Sequence, residues 1–348
     1  MSVDNVDRKR TEGKKMELIN MTRFSTSHLV IPDGRGKEIL LVVAKATFAI
    51  SSRLVLIDEQ SPVFPTDIYF GPPESSSIRY AGECVPVKPM TDVVLFGCAY
   101  PEKEGDTRVD VQLSCMTISK TVTVFGDRVW MKRGYEYVAS QPRQIKRVPL
   151  RYERAFGGMD EDDTQFPNGC DSNPVGLGFA SRRSKKEFEG QAVPNVLGSN
   201  STIHSPNSRS EVAGFSWIAP HWYPRAKLAG TYDESWLKNR MPNLPADFED
   251  RYFNAAPLDQ QLADPLVGGE RIEIRNATAD GLLAFEVPKL DLILSVCMGD
   301  ELLESSMRCD TLAIDAEARS ISMVWRSNLD VHQRVPSISW ICVEQGVG

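Results

Sequence analysis

Metal, redox or acid–base chemistry in this chain would have to come from four histidines, seven cysteines and 47 acidic side chains. His28, His204, His221 and His332 show no ligand spacing, and no HExxH pattern occurs. Cysteines 84, 98, 115, 170, 297, 309 and 342 form no CxxC pair. Zinc sites favour such pairs, and secreted disulfide frameworks favour an even set in a short chain. Several cysteines lie in apolar runs, as in Phe96-Gly97-Cys98-Ala99, and read as small buried hydrophobes in a reducing compartment. The expectation is no metal, no cofactor and a cytoplasmic protein.

The acidic residues 160–163, ending near Asp171, invite a calcium reading. An EF-hand loop starting at Asp160 would need Gly at its sixth position and Glu at its twelfth, where the chain has Gln165 and Asp171. Gly157-Gly158 and Gly176-Leu177-Gly178 fit neither a P-loop nor a dinucleotide fingerprint, and no GxSxG elbow is present. A glycosidase needs only two carboxylates about 5–9.5 Å apart beside aromatic platforms. Glu153, Asp233 and Glu270 lie in or beside an aromatic stretch, although capping or ion pairing is the plainer role for each. No catalytic residue is assigned, and the chain reads as a non-enzyme.

The elements that would position these residues are mainly strands. Residues 38–50 are rich in Val, Ile, Leu and Phe, while Val109, Val111 and Leu113 alternate with polar positions. Gly126-Asp127 between 121–125 and 128–130 predicts a hairpin turn, as do Asp280-Gly281 and residues 315–319. The middle of the chain is dense in Pro, Gly, Asn and aromatics. It predicts one short helix capped by Asp233, running through Trp236 to Arg240 and stopped by Pro242, and another over 258–263. The fold expected is mainly β: antiparallel, sandwich-like sheets around a long irregular middle with few short helices. Along the chain this gives a disordered tail over 1–15, β-rich regions over 16–148 and 268–348, and a loop-rich segment over 149–267, as separate regions or one integrated domain.

Bulk properties narrow the partners. With 40 Lys+Arg against 47 Asp+Glu the net charge is -7, which argues against a duplex-binding surface. Arg8, Lys9, Arg10, Lys14 and Lys15 have no interleaved aromatics, and Arg182, Arg183, Lys185 and Lys186 run straight into Glu187 and Glu189. Apolar runs fall far short of the ~20 residues that span a bilayer, and no signal-peptide pattern is visible.

Several blocks are distinctive together: 42–48 (VVAKATF), 88–93 (KPMTDV), 97–101 (GCAYP), 124–130 (VFGDRVW), 149–158 (PLRYERAFGG) and 173–179 (NPVGLGF). They continue through 230–236 (GTYDESW), 240–248 (RMPNLPADF), 251–261 (RYFNAAPLDQQ) and 266–270 (LVGGE). In these the chain resembles a bacterial domain-of-unknown-function family, number 2169, encoded beside type VI secretion effectors. The resemblance implies an adaptor, or dedicated chaperone, that holds a toxin in the cytoplasm and helps load it onto the VgrG–PAAR spike. Such a protein needs an acceptor surface of roughly 800 Å² with aromatic and Arg anchors. On that reading Arg154, Arg225, Tyr232 and Tyr252 are the candidate partner-binding residues. Phe156, Trp236 and Phe253 read instead as core. The alternative is a carbohydrate-binding or glycoside-hydrolysing β protein.

Overall fold

The computed structural model describes residues 16–160, 168–181, 184 and 186–346. The expected tail over 1–15, most of the acidic run and three residues of the second basic cluster lie outside them. Strand residues outnumber helical ones, 42% to 8%, so the mainly-β expectation holds.

The Glu38–Ile50 strand shows why its sequence does not alternate. It lies inside a seven-stranded sheet ordered Ser25–Pro32, Glu38–Ile50, Ser320–Asp330, Arg308–Asp315, Thr91–Phe96 and Gln261–Leu262, with Leu54–Leu56 also paired to Glu38–Ile50. Leu40, Val42, Ala44 and Ala46 join the main core, whereas Leu41 and Val43 pack with Val324 on the opposite face. A strand covered on both sides must be apolar throughout. Thr91–Phe96 behaves alike: Val93 and Leu95 face the main core, and Val94 faces a second cluster.

The five-stranded sheet is different. Its order is Val196–Gly198, Ile118–Phe125, Arg108–Cys115, Arg271–Arg275 and Leu282–Glu286. Val109, Val111, Leu113 and Cys115 are buried, while Ser114 is exposed and Asp110 and Gln112 are half-buried. One face therefore meets the core, as the alternation predicts. A four-stranded sheet, in the order Glu17–Asn20, Ile338–Gln345, Leu292–Met298 and Glu301–Ser306, contributes Leu294, Val296 and Ile341 to the same cluster.

Pairing departs from the antiparallel expectation in places. Arg308–Asp315 runs parallel to Thr91–Phe96, and Glu17–Asn20 runs parallel to Ile338–Gln345. Parallel neighbours need a long connection, and here each pair joins the two ends of the chain. The turn at Gly126-Asp127 is also corrected. Ile118–Phe125 pairs with Arg108–Cys115, but Arg128–Arg133 leaves for another sheet with Glu136–Ala139 and Ala192–Val193. Gly126 is a crossing point: a Cβ there would lie 1.8 Å from the Arg143 carbonyl oxygen. The turns at Asp280-Gly281 and 315–319 do join antiparallel neighbours.

The middle segment covers the outer face of Thr91–Phe96, where Tyr152, Trp217, Ile218, Trp222, Ala255 and Ala256 pack on Ile78 and Val94. The Glu234–Asn239 helix forms with Asp233 as N-cap, whose carboxylate accepts from the Trp236 N–H at 2.8 Å. The second expected helix shrinks to a 3-10 turn, Leu258–Gln260, because Gln261 and Leu262 pair with Asp92 and Thr91. Phe156 is core; Trp236 and Phe253 are only half-buried. Among the described residues no helix is long and apolar enough to cross a membrane.

Candidate functional site

Most motif residues turn out to knit the middle segment to the sheets. Lys88 Nζ donates to Asp92 Oδ2 at 2.8 Å and to Thr311 Oγ1 at 2.9 Å, with both charged side chains buried. Asp92 also accepts from Asn254 Nδ2 and from the Ala255 N–H, each at 2.9 Å. Gln260 Nε2 reaches the carbonyls of Val93 and Phe215. Along the same outer face Lys45 pairs with Glu83 at 2.7 Å, and Arg326 pairs with Asp310 at 2.7 Å. Burial pushes the Lys45 amine down, and Glu83 opposes that shift. The 149–158 and 173–179 blocks meet at Asn173, whose amide donates to the Tyr152 and Phe156 carbonyls. Gly157, at φ 154°, has no room for a Cβ beside the Asn173 carbonyl oxygen.

The carboxylates considered for glycoside chemistry are committed as well. Glu153 accepts from the Ser77 N–H and hydroxyl, Asp233 caps its helix, and Glu270 accepts from the Val267 and Gly268 N–H groups. Only Asp233 caps a helix; Glu153 and Glu270 hold loop and hairpin N–H groups instead. All seven cysteines are free thiols, and burial pushes Cys115 up to about 12.

Arg225, Tyr252 and Tyr232 come together, and Arg154 lies elsewhere. Arg225 is buried: its Nε donates to the Tyr252 carbonyl at 2.7 Å and its Nη1 to the Ile218 carbonyl at 2.9 Å. Its guanidinium stands 5.1 Å from the Tyr252 ring centre, so it braces the fold from within. Desolvation lowers its pKa, and burial raises that of Tyr252. Tyr232 is exposed, edge-on to Trp236 at 4.7 Å, with Leu237 and Met241 exposed nearby in the chain. Arg154 contacts Asp127 and Asn195 at 3.3 and 3.2 Å in an open cleft with Arg128 and Arg143.

A more enclosed pocket, about 290 Å³, opens where the parallel strands Thr91–Phe96 and Arg308–Asp315 end side by side. Phe70, Tyr80, Phe96, Pro149 and Leu150 give it apolar walls, and Arg79, Arg147 and Arg151 bring charge. A small hairpin, Ile68–Tyr69 with Ile78–Tyr80, positions Phe70 and Arg79. The Gly71 N–H donates to Ser76 Oγ within its turn. The bond from Ser77 to Glu153 ties the hairpin to the Tyr152–Arg154 turn, next to Arg151. The Arg151 guanidinium sits 3.7 Å over the Phe70 ring, and Arg79 sits 6.0 Å from Phe70 and 5.1 Å from Tyr80. Arg147 is already used: it pairs with Glu317 at 2.6 Å and donates to Cys98 Sγ. Burial alone would raise the Glu317 carboxyl, but the bonds from Arg147, Cys98 and Tyr100 leave it below the usual range.

Residues 35–326 match the bacterial family described as "Uncharacterized protein conserved in bacteria (DUF2169)". The chain belongs to this family. Comparison with curated proteins and with solved structures gives no match. Of the pocket residues, Gly97, Cys98, Pro149, Leu150 and Arg151 fall inside motif blocks, whereas Phe70, Arg79 and Tyr80 were not singled out by sequence. The turn Gly71-Pro72-Pro73 between Tyr69-Phe70 and Arg79-Tyr80 was the available signal. Nothing in it pointed to Arg151.

Proposed function

We propose that the protein is an adaptor, or dedicated chaperone, that binds a type VI secretion toxin in the cytoplasm and helps load it onto the VgrG–PAAR spike. The motif blocks supply the link to type VI effectors, through the resemblance they carry. The observation that supports a binding role most strongly is the pocket with Arg151 close over Phe70 and Arg79 beside Tyr80. Arg and aromatic side chains in recessed pockets are what interface hot spots are made of. The polar groups a catalyst would need are largely spent on internal bonds, which favours a partner protein over a substrate. The Arg225 bonds to backbone carbonyls mark that residue as scaffold rather than chemistry.

The test is co-expression of the tagged chain with each toxin encoded beside its gene. The expected outcome is one toxin that co-elutes stoichiometrically, with VgrG or PAAR joining the complex when added. An interface of about 1,600 Å² would be ordinary for such a pair. Glycan binding or cleavage without any toxin complex would instead favour the carbohydrate reading.

A further inference from the structure

We propose that the pocket walled by Phe70, Tyr80, Phe96 and Leu150 docks an acidic peptide segment in which an apolar side chain stands beside carboxylates. Naming the client toxin as the source of that segment rests on the adaptor reading above.

Size and charge select this occupant. A cavity of about 290 Å³ with aromatic walls takes one apolar side chain, not a folded surface. At its rim Arg79 and Arg151 are exposed, and among the described residues neither has a carboxylate partner. A guanidinium held over a ring face still has N–H groups to donate, and these can meet a carboxylate in two-point fashion. The remaining charged groups of the lining leave a net positive rim: Arg147 pairs with Glu317, and Asp315, whose Oδ1 accepts from the Glu317 and Ala318 N–H groups, is one carboxylate against the two unpaired arginines. Ser216, 5% exposed, also lines the pocket, and its hydroxyl has no hydrogen-bond partner among the described residues. The Ser77–Glu153 bonds hold the two halves of the rim together before any ligand arrives, which lowers the ordering cost of binding.

The full chain should be titrated into a short fluorescein-labelled peptide carrying Phe-Glu-Glu, followed by anisotropy. Saturable binding is expected, roughly tenfold or more weaker for the Phe-Gln-Gln peptide and for the Arg79→Ser/Arg151→Ser double variant. Both arginines are exposed, so the double variant should keep the wild-type circular dichroism and unfolding midpoint. No binding, or equal binding of the two peptides, overturns the proposal. So does an oligonucleotide that binds as tightly and is lost in the same variant. Toxin capture separates the two ideas. Capture by the wild type and not by the double variant supports the pocket as client anchor. Equal capture by both removes the pocket from client binding and leaves the adaptor reading standing. Peptide binding with no toxin captured by the wild type removes the adaptor reading and keeps the pocket as an acidic-peptide site.

Discussion

Lys88 and Asp92 bury opposite charges 2.8 Å apart. Removing one partner leaves the other uncompensated, which costs about 3–5 kcal/mol, whereas replacing both with apolar groups is far milder. Lys88→Met or Asp92→Asn should therefore lower the urea-derived unfolding free energy by about that amount, and the Lys88→Met/Asp92→Leu pair should lose clearly less than the sum. His28 and His221 make a pH prediction. Burial lowers both pKa values from the ordinary 6.5, and for His221 the nearby Arg225 adds to this while Asp67 opposes it. The unfolded chain then takes up protons first as pH falls below 6.5, so stability is level above that pH and declines beneath it. Protonation would also cost His221 Nε2 its bond from the Trp222 indole N–H at 2.9 Å. Urea midpoints between neutral and mildly acidic pH should show this decline, and His28→Asn with His221→Gln should flatten it. At this scale the sequence was legible where a residue acts locally, as Asp233 does on its own helix. It was not legible where a charge finds its partner across the fold: Arg225 looked like a surface anchor until its carbonyl acceptors, Ile218 and Tyr252, came into view.

Among elements, local patterns transferred well when their partners were also local. The hairpin at 315–319 and the Asp233 cap depend on neighbours a few residues away, and the alternation in Arg108–Cys115 needs only that one face be covered, whichever strand lies beside it. Gly126-Asp127 misled for the opposite reason, because the glycine answers to Arg143 rather than to a tight turn. Gly126→Ala should thus destabilise by about 1–3 kcal/mol, the range of an overpacked site, despite the better backbone propensity of alanine. Chemical denaturation of that variant measures it, and an unchanged midpoint would restore the simple turn reading. The Leu258–Gln260 turn shows tertiary pairing overriding helix pattern, since Gln261 and Leu262 are drawn into the sheet.

At the scale of the whole molecule, sheets mix strands from both ends. Glu38–Ile50 pairs with Ser320–Asp330, and Thr91–Phe96 pairs with Arg308–Asp315, so the two β-rich regions complete each other. A fragment of residues 16–148 should accordingly lack the sharp cooperative unfolding of the full chain, as judged by circular dichroism on heating. Sequence periodicity reveals strands but not which distant strands will pair, and the Arg79–Arg151 pocket exists only because 70–80, 96–98, 147–151, 216 and 315–317 converge. The role proposed for that assembly is decided most directly in the bacterium, by deleting this gene and assaying every type VI effector in the culture supernatant. The account predicts that one toxin encoded nearby stops being secreted, other cargo still leaves, and a plasmid copy of this chain restores the loss. Normal secretion of every effector by the deletion strain would contradict it.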